Sequence, residues 1–396
     1  QVLIDQGKVS KALKILRKLS AIEHSNYEVF ISLGTALNMM GRTDDAIRHY
    51  DHALSLDPEE KEEIASQIGY LFHDREKFKE AIRYFKMALN LDPGRHALLY
   101  EMAYCYERLG QFKKAVEHYN RYLDHDPFSD MGWFNLGIVY YKQEKFEDAL
   151  RAYDYSIAIN DRNASAIFNK ASLLMTISEY ARAIEMFHDV LELEPKNLSA
   201  IQYLAECHNM LGQYEKAELH YNQARKIDPK FPEGYFGSGM ILLKRKKYRE
   251  SRTFIRKALE LDGENPEYWF ALSQSYRAQG HYKQAYKAIK KTLEHDPFET
   301  EYWLEAASLQ GALGHLDESI RILQDSFNFN PEDAEIHYQL GINYLLTGQT
   351  KPGHEHIEQG LLMEFDLHYS VFKPYPGLMR DPDIVRLIEK CRNLLT

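Results

Sequence analysis

The chain is 396 residues long, carries a formal net charge of −10 and is 27% charged. That length is large for a globule built on one core, whereas a quasi-linear array of repeats has no such ceiling. The acidic balance favours solubility and argues against nucleic acid as a partner, and no apolar run approaches the roughly 18 residues that a membrane-spanning helix needs.

Taken from its start, the chain opens on residues 1–26, which read as the second helix of an incomplete repeat. Gly7 and Ala12 are in phase with a turn glycine and a small residue that recur later. With the first helix of that unit missing, the parent protein is expected to extend upstream. From residue 27 a regular beat begins. Small residues stand at Gly34, Gly69, Ala103, Gly137, Ala171, Ala205, Gly239, Ser273, Ala307 and Gly341, the first step 35 residues and every later one 34. A second small series follows twelve positions behind, at Ala46, Ala81, Ala115, Ala149, Ala183, Ala217, Ser251, Ala285, Ser319 and Gly353. Proline or another turn residue then closes each unit, as at Pro58, Pro93, Pro127, Asp161 and Pro195. Three series with one period define tandem repeats over residues 27–366.

One unit shows the logic. Trp133, Leu136, Tyr140 and Tyr141 recur at helical spacing, a polar break at Lys142, Gln143 and Glu144 ends that helix, and Phe146, Ala149, Leu150, Tyr153 and Ile157 form the apolar stripe of a second. Gly137 and Ala149 let the two backbones approach closely. Proline after Leu-Asp, as at Leu91, Asp92 and Pro93, removes a donor and stops one helix before the next. Glycine in the short break, as at Gly110 and Gly212, suits a positive φ at a helix C-terminus.

These phased positions resemble the tetratricopeptide repeat family. Gly137, Tyr140, Ala149, Tyr153, Ala183 and Pro195 match its small, aromatic and turn positions, and the pattern holds through about ten successive units. The resemblance implies an all-α fold, a right-handed α-α superhelix of tandem helix pairs, with an inner groove lined mainly by first helices. After Gly353 the beat decays. Residues 354–363 still read as a second helix, and residues 367–396 as an irregular segment followed by a capping helix from Pro382 to Leu395, started by Asp381. Ile384, Leu387, Ile388 and Leu394 form the stripe expected to cover the last repeat, as solenoid ends require.

Catalytic signals are absent: there is no phosphate loop after a strand, no nucleophile elbow and no paired cysteines. Cys105, Cys207 and Cys391 are too few and too scattered for a disulfide framework or zinc cluster, which points to a reducing compartment and makes the cytoplasm the expected location. Cys105 and Cys207 share a repeat position among apolar neighbours, so buried packing is their simplest use. His354 and His356 lie two apart on a helix, and His49 and His52 lack further ligands, so neither pair makes a metal set. The basic run Lys244–Lys247, continued by Arg249, Arg252, Arg256 and Lys257, reads as a solvated helix surface or turn.

Two groups of side chains remain as binding candidates. The family phase implies that Tyr104, Arg108, Asn135, Tyr141, Lys142, Asn169 and Arg277 face the groove, offering peptide-backbone hydrogen bonds and aromatic contact area. Glu233, Glu267, Glu301 and Glu335 share one phase near the start of successive first helices. That position is favourable near a helix N-terminus, and it also draws an acidic strip that a basic partner would meet. The residues just after the small position, from Thr35 and Tyr70 to Ile342, include no asparagine. The terminal-carboxylate clamp of family members that bind chaperone tails therefore does not fit. The expectation is a noncatalytic interaction scaffold or adaptor that binds a protein or extended peptide in its groove, without cofactor or metal. The alternative is an architectural spacer or homo-oligomer that assembles through its terminal repeats.

Overall fold

The computed structural model describes residue 4 and residues 6–395. The start of the predicted partial repeat, residues 1–3 and 5, lies outside the described residues. Helices account for nearly all the rest, and among the described residues there is no strand. They divide into two compact units, residues 1–195 and 196–396.

In the first unit, α1 (Val9–Ser20) packs on α2 (Tyr27–Met39), which pairs with α3 (Thr43–Ser55). Four more pairs follow: α4 (Lys61–His73) with α5 (Phe78–Leu91), α6 (Ala97–Arg108) with α7 (Phe112–His125), α8 (Asp130–Lys142) with α9 (Phe146–Ile159), and α10 (Ala164–Thr176) with α11 (Tyr180–Leu193). The second unit repeats the plan with α12 (Leu198–Met210) and α13 (Tyr214–Ile227), α14 (Pro232–Lys244) and α15 (Tyr248–Leu261), α16 (Pro266–Arg277) and α17 (Tyr282–His295). Its last pairs are α18 (Thr300–Ala312) with α19 (Leu316–Ser326) and α20 (Ala334–Leu346) with α21 (Thr350–Met363). The class is thus all-α, tandem helix pairs of the α-α superhelix type.

One backbone device makes every pair. The residue closing the first helix takes a left-handed conformation at Gly41, Glu76, Gly110, Glu144, Ser178, Gly212, Lys246, Gly280, Gly314 and Gly348. The amide that follows it reaches back five residues, as Lys145 N does to the Tyr140 carbonyl at 3.0 Å, so the orphan carbonyls of the helix end are used. Glycine serves at six of the ten positions, as the sequence suggested. At the other four a side chain is carried at φ between 56° and 64°.

Packing within a pair depends on the small residues. A Cβ built on Gly69 would lie 2.5 Å from the Phe85 ring, and one on Gly137 would lie 2.6 Å from Tyr153. The large side chain sixteen residues after the small one therefore fills the gap that the small one leaves. It is aromatic from Tyr50 to Tyr221 and aliphatic from Ile255 to Ile357, and it is buried throughout. Where serine replaces alanine, its hydroxyl binds the facing helix: Ser251 Oγ donates to the Gly239 carbonyl at 2.8 Å and Ser319 Oγ to that of Ala307 at 2.7 Å. The single 35-residue step falls between Pro58 and Gly69, and beside it Asp57 has φ 59°.

The C-terminal segment closes the second unit. A 3₁₀ turn (Phe365–Leu367), the short α22 (His368–Val371) and a second 3₁₀ turn (Leu378–Arg380) lead to α23 (Pro382–Leu395). Asp381 Oδ1 accepts from the amides of Asp383 and Ile384 at 2.9 and 3.3 Å, which caps the helix. Ile384, Ile388 and Cys391 are buried against Tyr338, Ile342, Ile357 and Leu361, with Leu387 partly buried beside them. One member of the predicted stripe is corrected: Leu394 is 64% exposed, and Cys391, one turn earlier, takes the buried place.

Candidate functional site

The first unit holds six of the predicted groove residues, and four of them already have partners within that unit. Arg108 lies over the rings of Phe78 and Tyr104, donates to the Tyr104 hydroxyl at 3.1 Å and pairs with Glu76 at 3.5 Å. Tyr104 in turn packs on His73 of α4, ring centroids 5.2 Å apart. Asn135 Nδ2 donates to the Tyr100 hydroxyl at 2.6 Å. Lys142 Nζ lies 2.8 Å from Glu107 Oε1, a carboxylate only 7% exposed. The Tyr104–His73 contact ties α6 to α4, the Asn135–Tyr100 and Lys142–Glu107 contacts tie α8 to α6, and Arg108 is held within α6, by Phe78 of α5 and by Glu76 in the turn before it.

Two of the six keep their full capacity. The Tyr141 ring is 41% exposed, braced by Phe146 at 6.0 Å. Asn169, half-buried on α10, makes no side-chain hydrogen bond among the described residues. Of the six, four are thus held by contacts, while an aromatic ring on α8 and an amide on α10 remain open.

The seventh residue, Arg277, belongs to the second unit. It forms an ion pair with Glu305 and donates to Ser308 Oγ at 3.3 Å. Glu233, Glu267, Glu301 and Glu335 are each the second residue of a first helix, where the helix dipole favours a negative charge. Among the described residues none of the four makes a side-chain hydrogen bond or ion pair. Burial raises the Glu335 carboxyl above its ordinary value, and Asp333, Glu364 and Glu301 add to the shift. Glu206 is raised by burial too, the Gln202 hydrogen bond opposes this, and Glu267 and Glu233 add to it. Glu301 thus acts on Glu335, and Glu233 and Glu267 both act on Glu206.

Other sequence features find structural uses. Burial pushes the Cys105 and Cys207 thiols up to about 12. In the basic run, Arg252 and Arg256 both lie over the Tyr276 ring, and Lys257 pairs with Glu260 at 2.8 Å. Lys244–Lys247 are exposed. His49 and His52 pack on Phe30, while His356 meets His337, with 3.0 Å between their Nδ1 atoms. Among the described residues no three metal-ligating side chains converge.

Profiles described as tetratricopeptide repeat match residues 27–60, 72–132, 106–165, 134–187, 178–235 and 211–266, together more than half of the chain. The chain belongs to the tetratricopeptide repeat family. A profile described as anaphase-promoting complex, cyclosome, subunit 3 matches residues 244–326 of this tetratricopeptide repeat protein. No curated protein matches it. Yeast Tom70 is 14% identical, with a TM-score of 0.50 over 93% of this chain and 99% of that one. The C-terminal part of a tetratricopeptide repeat-containing protein from Cytophaga hutchinsonii is also 14% identical, with a TM-score of 0.54 over 60% of this chain and 96% of that one. Both likenesses are of fold. Family membership supports a protein-interaction scaffold in general terms.

Sequence reasoning missed the partners of its own candidates in this repeat protein. Tyr100, Glu107, His73 and Glu305 fix the predicted residues in place. The only hint was separation: Tyr100 to Asn135 and Glu107 to Lys142 are each 35 residues, about one repeat, which brings stacked first helices into register.

Proposed function

We propose that this tetratricopeptide repeat protein is a noncatalytic scaffold that holds an extended segment of a partner protein against the first helices of its first unit. The observation that supports this most is the combination on α6, α8 and α10 of side chains already fixed by inter-helix contacts with an exposed Tyr141 ring and an unspent Asn169 amide. Ordering side chains before binding reduces the entropy lost on association, and tyrosine adds contact area at low conformational cost. Asn169 can both donate to and accept from a peptide backbone, and Asn135, having used one N–H on Tyr100, keeps its carbonyl and second N–H for the same purpose.

The double variant Tyr141→Ala/Asn169→Ala is expected to weaken the partner at least about ten-fold while helicity and melting stay unchanged, since both side chains stand outside the buried core. Unchanged affinity in that variant sinks the placement of the site. The rival reading, assembly through the terminal repeats, rests in part on the apolar final helix. The stripe of α23 is buried within its own unit, which favours the groove reading over that part of the rival.

A further inference from the structure

Glu305 of α18 is 7% exposed, and its carboxylate is only half used. Arg277 holds Oε2, whereas the buried Oε1 has no hydrogen-bond partner. A buried acceptor without a donor is costly, so the site has a standing demand for another N–H. Burial raises the Glu305 carboxyl above its ordinary value, with Arg277 opposing that shift. A second cation would favour its charged form further.

The same carboxylate lines a cavity of about 430 Å³ whose wall also carries Arg277, Glu301, Asp333 and Glu335. Asp333 is occupied, accepting from Thr300 Oγ1 at 2.6 Å and from the Ile336 amide at 3.0 Å. Glu301 and Glu335 are not. The wall thus carries four carboxylates and one guanidinium, which is paired with Glu305, and the unspent acceptors come from two helices: Glu301 and Glu305 on α18 and Glu335 at the start of α20. Leu304 adds an apolar stretch of wall.

We infer that this cavity receives the ammonium or guanidinium head of a lysine or arginine side chain presented by a partner protein, an inference that rests on reading first-helix faces as protein-binding surfaces. Arg277 within the wall disfavours a divalent metal ion, and the volume far exceeds what a bare ion needs. An aliphatic stem along Leu304 with a charged head at the carboxylates matches both parts of the lining. The other glutamates of the row, Glu233 and Glu267, extend the negative field along the second unit and favour a partner segment with further basic residues.

The test uses the full chain and two short acetylated peptides, one with three lysines among glycine and serine and one with norleucine in place of each lysine, read by calorimetry. The lysine peptide is expected to bind at least about ten-fold more tightly, and Glu301→Gln/Glu335→Gln to remove most of that difference. Neither residue belongs to the buried core or makes a side-chain hydrogen bond among the described residues, so folding is not at stake. The control Glu147→Gln/Glu179→Gln makes the same charge change in the first unit and is expected to leave the binding as it was. Equal binding of the two peptides, an equal loss in the control, or displacement of the lysine peptide by one equivalent of magnesium overturns the inference. Tyr141→Ala/Asn169→Ala does not touch this cavity, so failure of the first-unit site and failure of this one give different results.

Discussion

Single residues at the left-handed turn position show how the backbone geometry is imposed. Glu76, Glu144, Ser178 and Lys246 sit where six other repeats use glycine, and a side chain there costs about 1–2 kcal/mol. Lys246→Gly and Ser178→Gly are therefore expected to raise stability, each by about 0.5–1 kcal/mol once the greater freedom of glycine in the unfolded chain is subtracted. Gly212→Ala is expected to lower it by a similar amount. Urea midpoints at unchanged slope measure all three, and a loss of stability in Lys246→Gly would contradict the strain. This position was legible from the glycine-rich breaks in the sequence. That the same geometry continues through Glu76 or Lys246 was not, because a residue with ordinary helix propensity gives no local sign that packing has forced it across.

Within a helix pair, the close approach of the two axes sets what each position tolerates. Gly69→Ala improves helix propensity by about 1 kcal/mol, yet its Cβ would meet the buried Phe85 ring at 2.5 Å, so a net loss of about 1–2 kcal/mol is expected. Gly311 is also helical, but its nearest contact would be at 3.9 Å, so Gly311→Ala is expected to stabilise. Opposite signs in thermal or urea unfolding check the argument. The last pair adds a pH effect. His337 and His356 are held below the ordinary value of 6.5 mainly by burial among Phe327 and Tyr344; His356 lowers His337 further, while Asp333 opposes for His337 and Glu355 for His356. The unfolded chain therefore takes up protons first as pH falls through 6.5, and the stability these residues contribute at neutral pH is lost towards the folded values. His337→Phe/His356→Phe is expected to flatten the fall in melting temperature between pH 7 and 5, though not abolish it, because His49 and His118 are shifted in the same direction by burial. An unchanged slope would contradict the assignment.

At the scale of the whole molecule, periodicity carried most of the information. The helix pairs, their turns and the Asp381 cap follow from spacings within one repeat, which local chemistry decides. The candidate site was legible only as a set of positions. Asn135, Lys142, Arg108 and Arg277 are polar residues at inward phases, but whether they are free or engaged depends on contacts 28 to 35 residues away, set by how stacked helices slide past each other. Leu394 failed for a related reason: a helical stripe says which face is apolar but not how far the surface beneath it extends. The central claim is that first-helix faces of the first unit hold a partner protein. Crosslinking mass spectrometry on the intact protein in its native cell tests it most directly. The account predicts partner crosslinks from the lysine bordering that face, Lys142; crosslinks confined to second-helix lysines such as Lys113, or to α1 and α23, would contradict it.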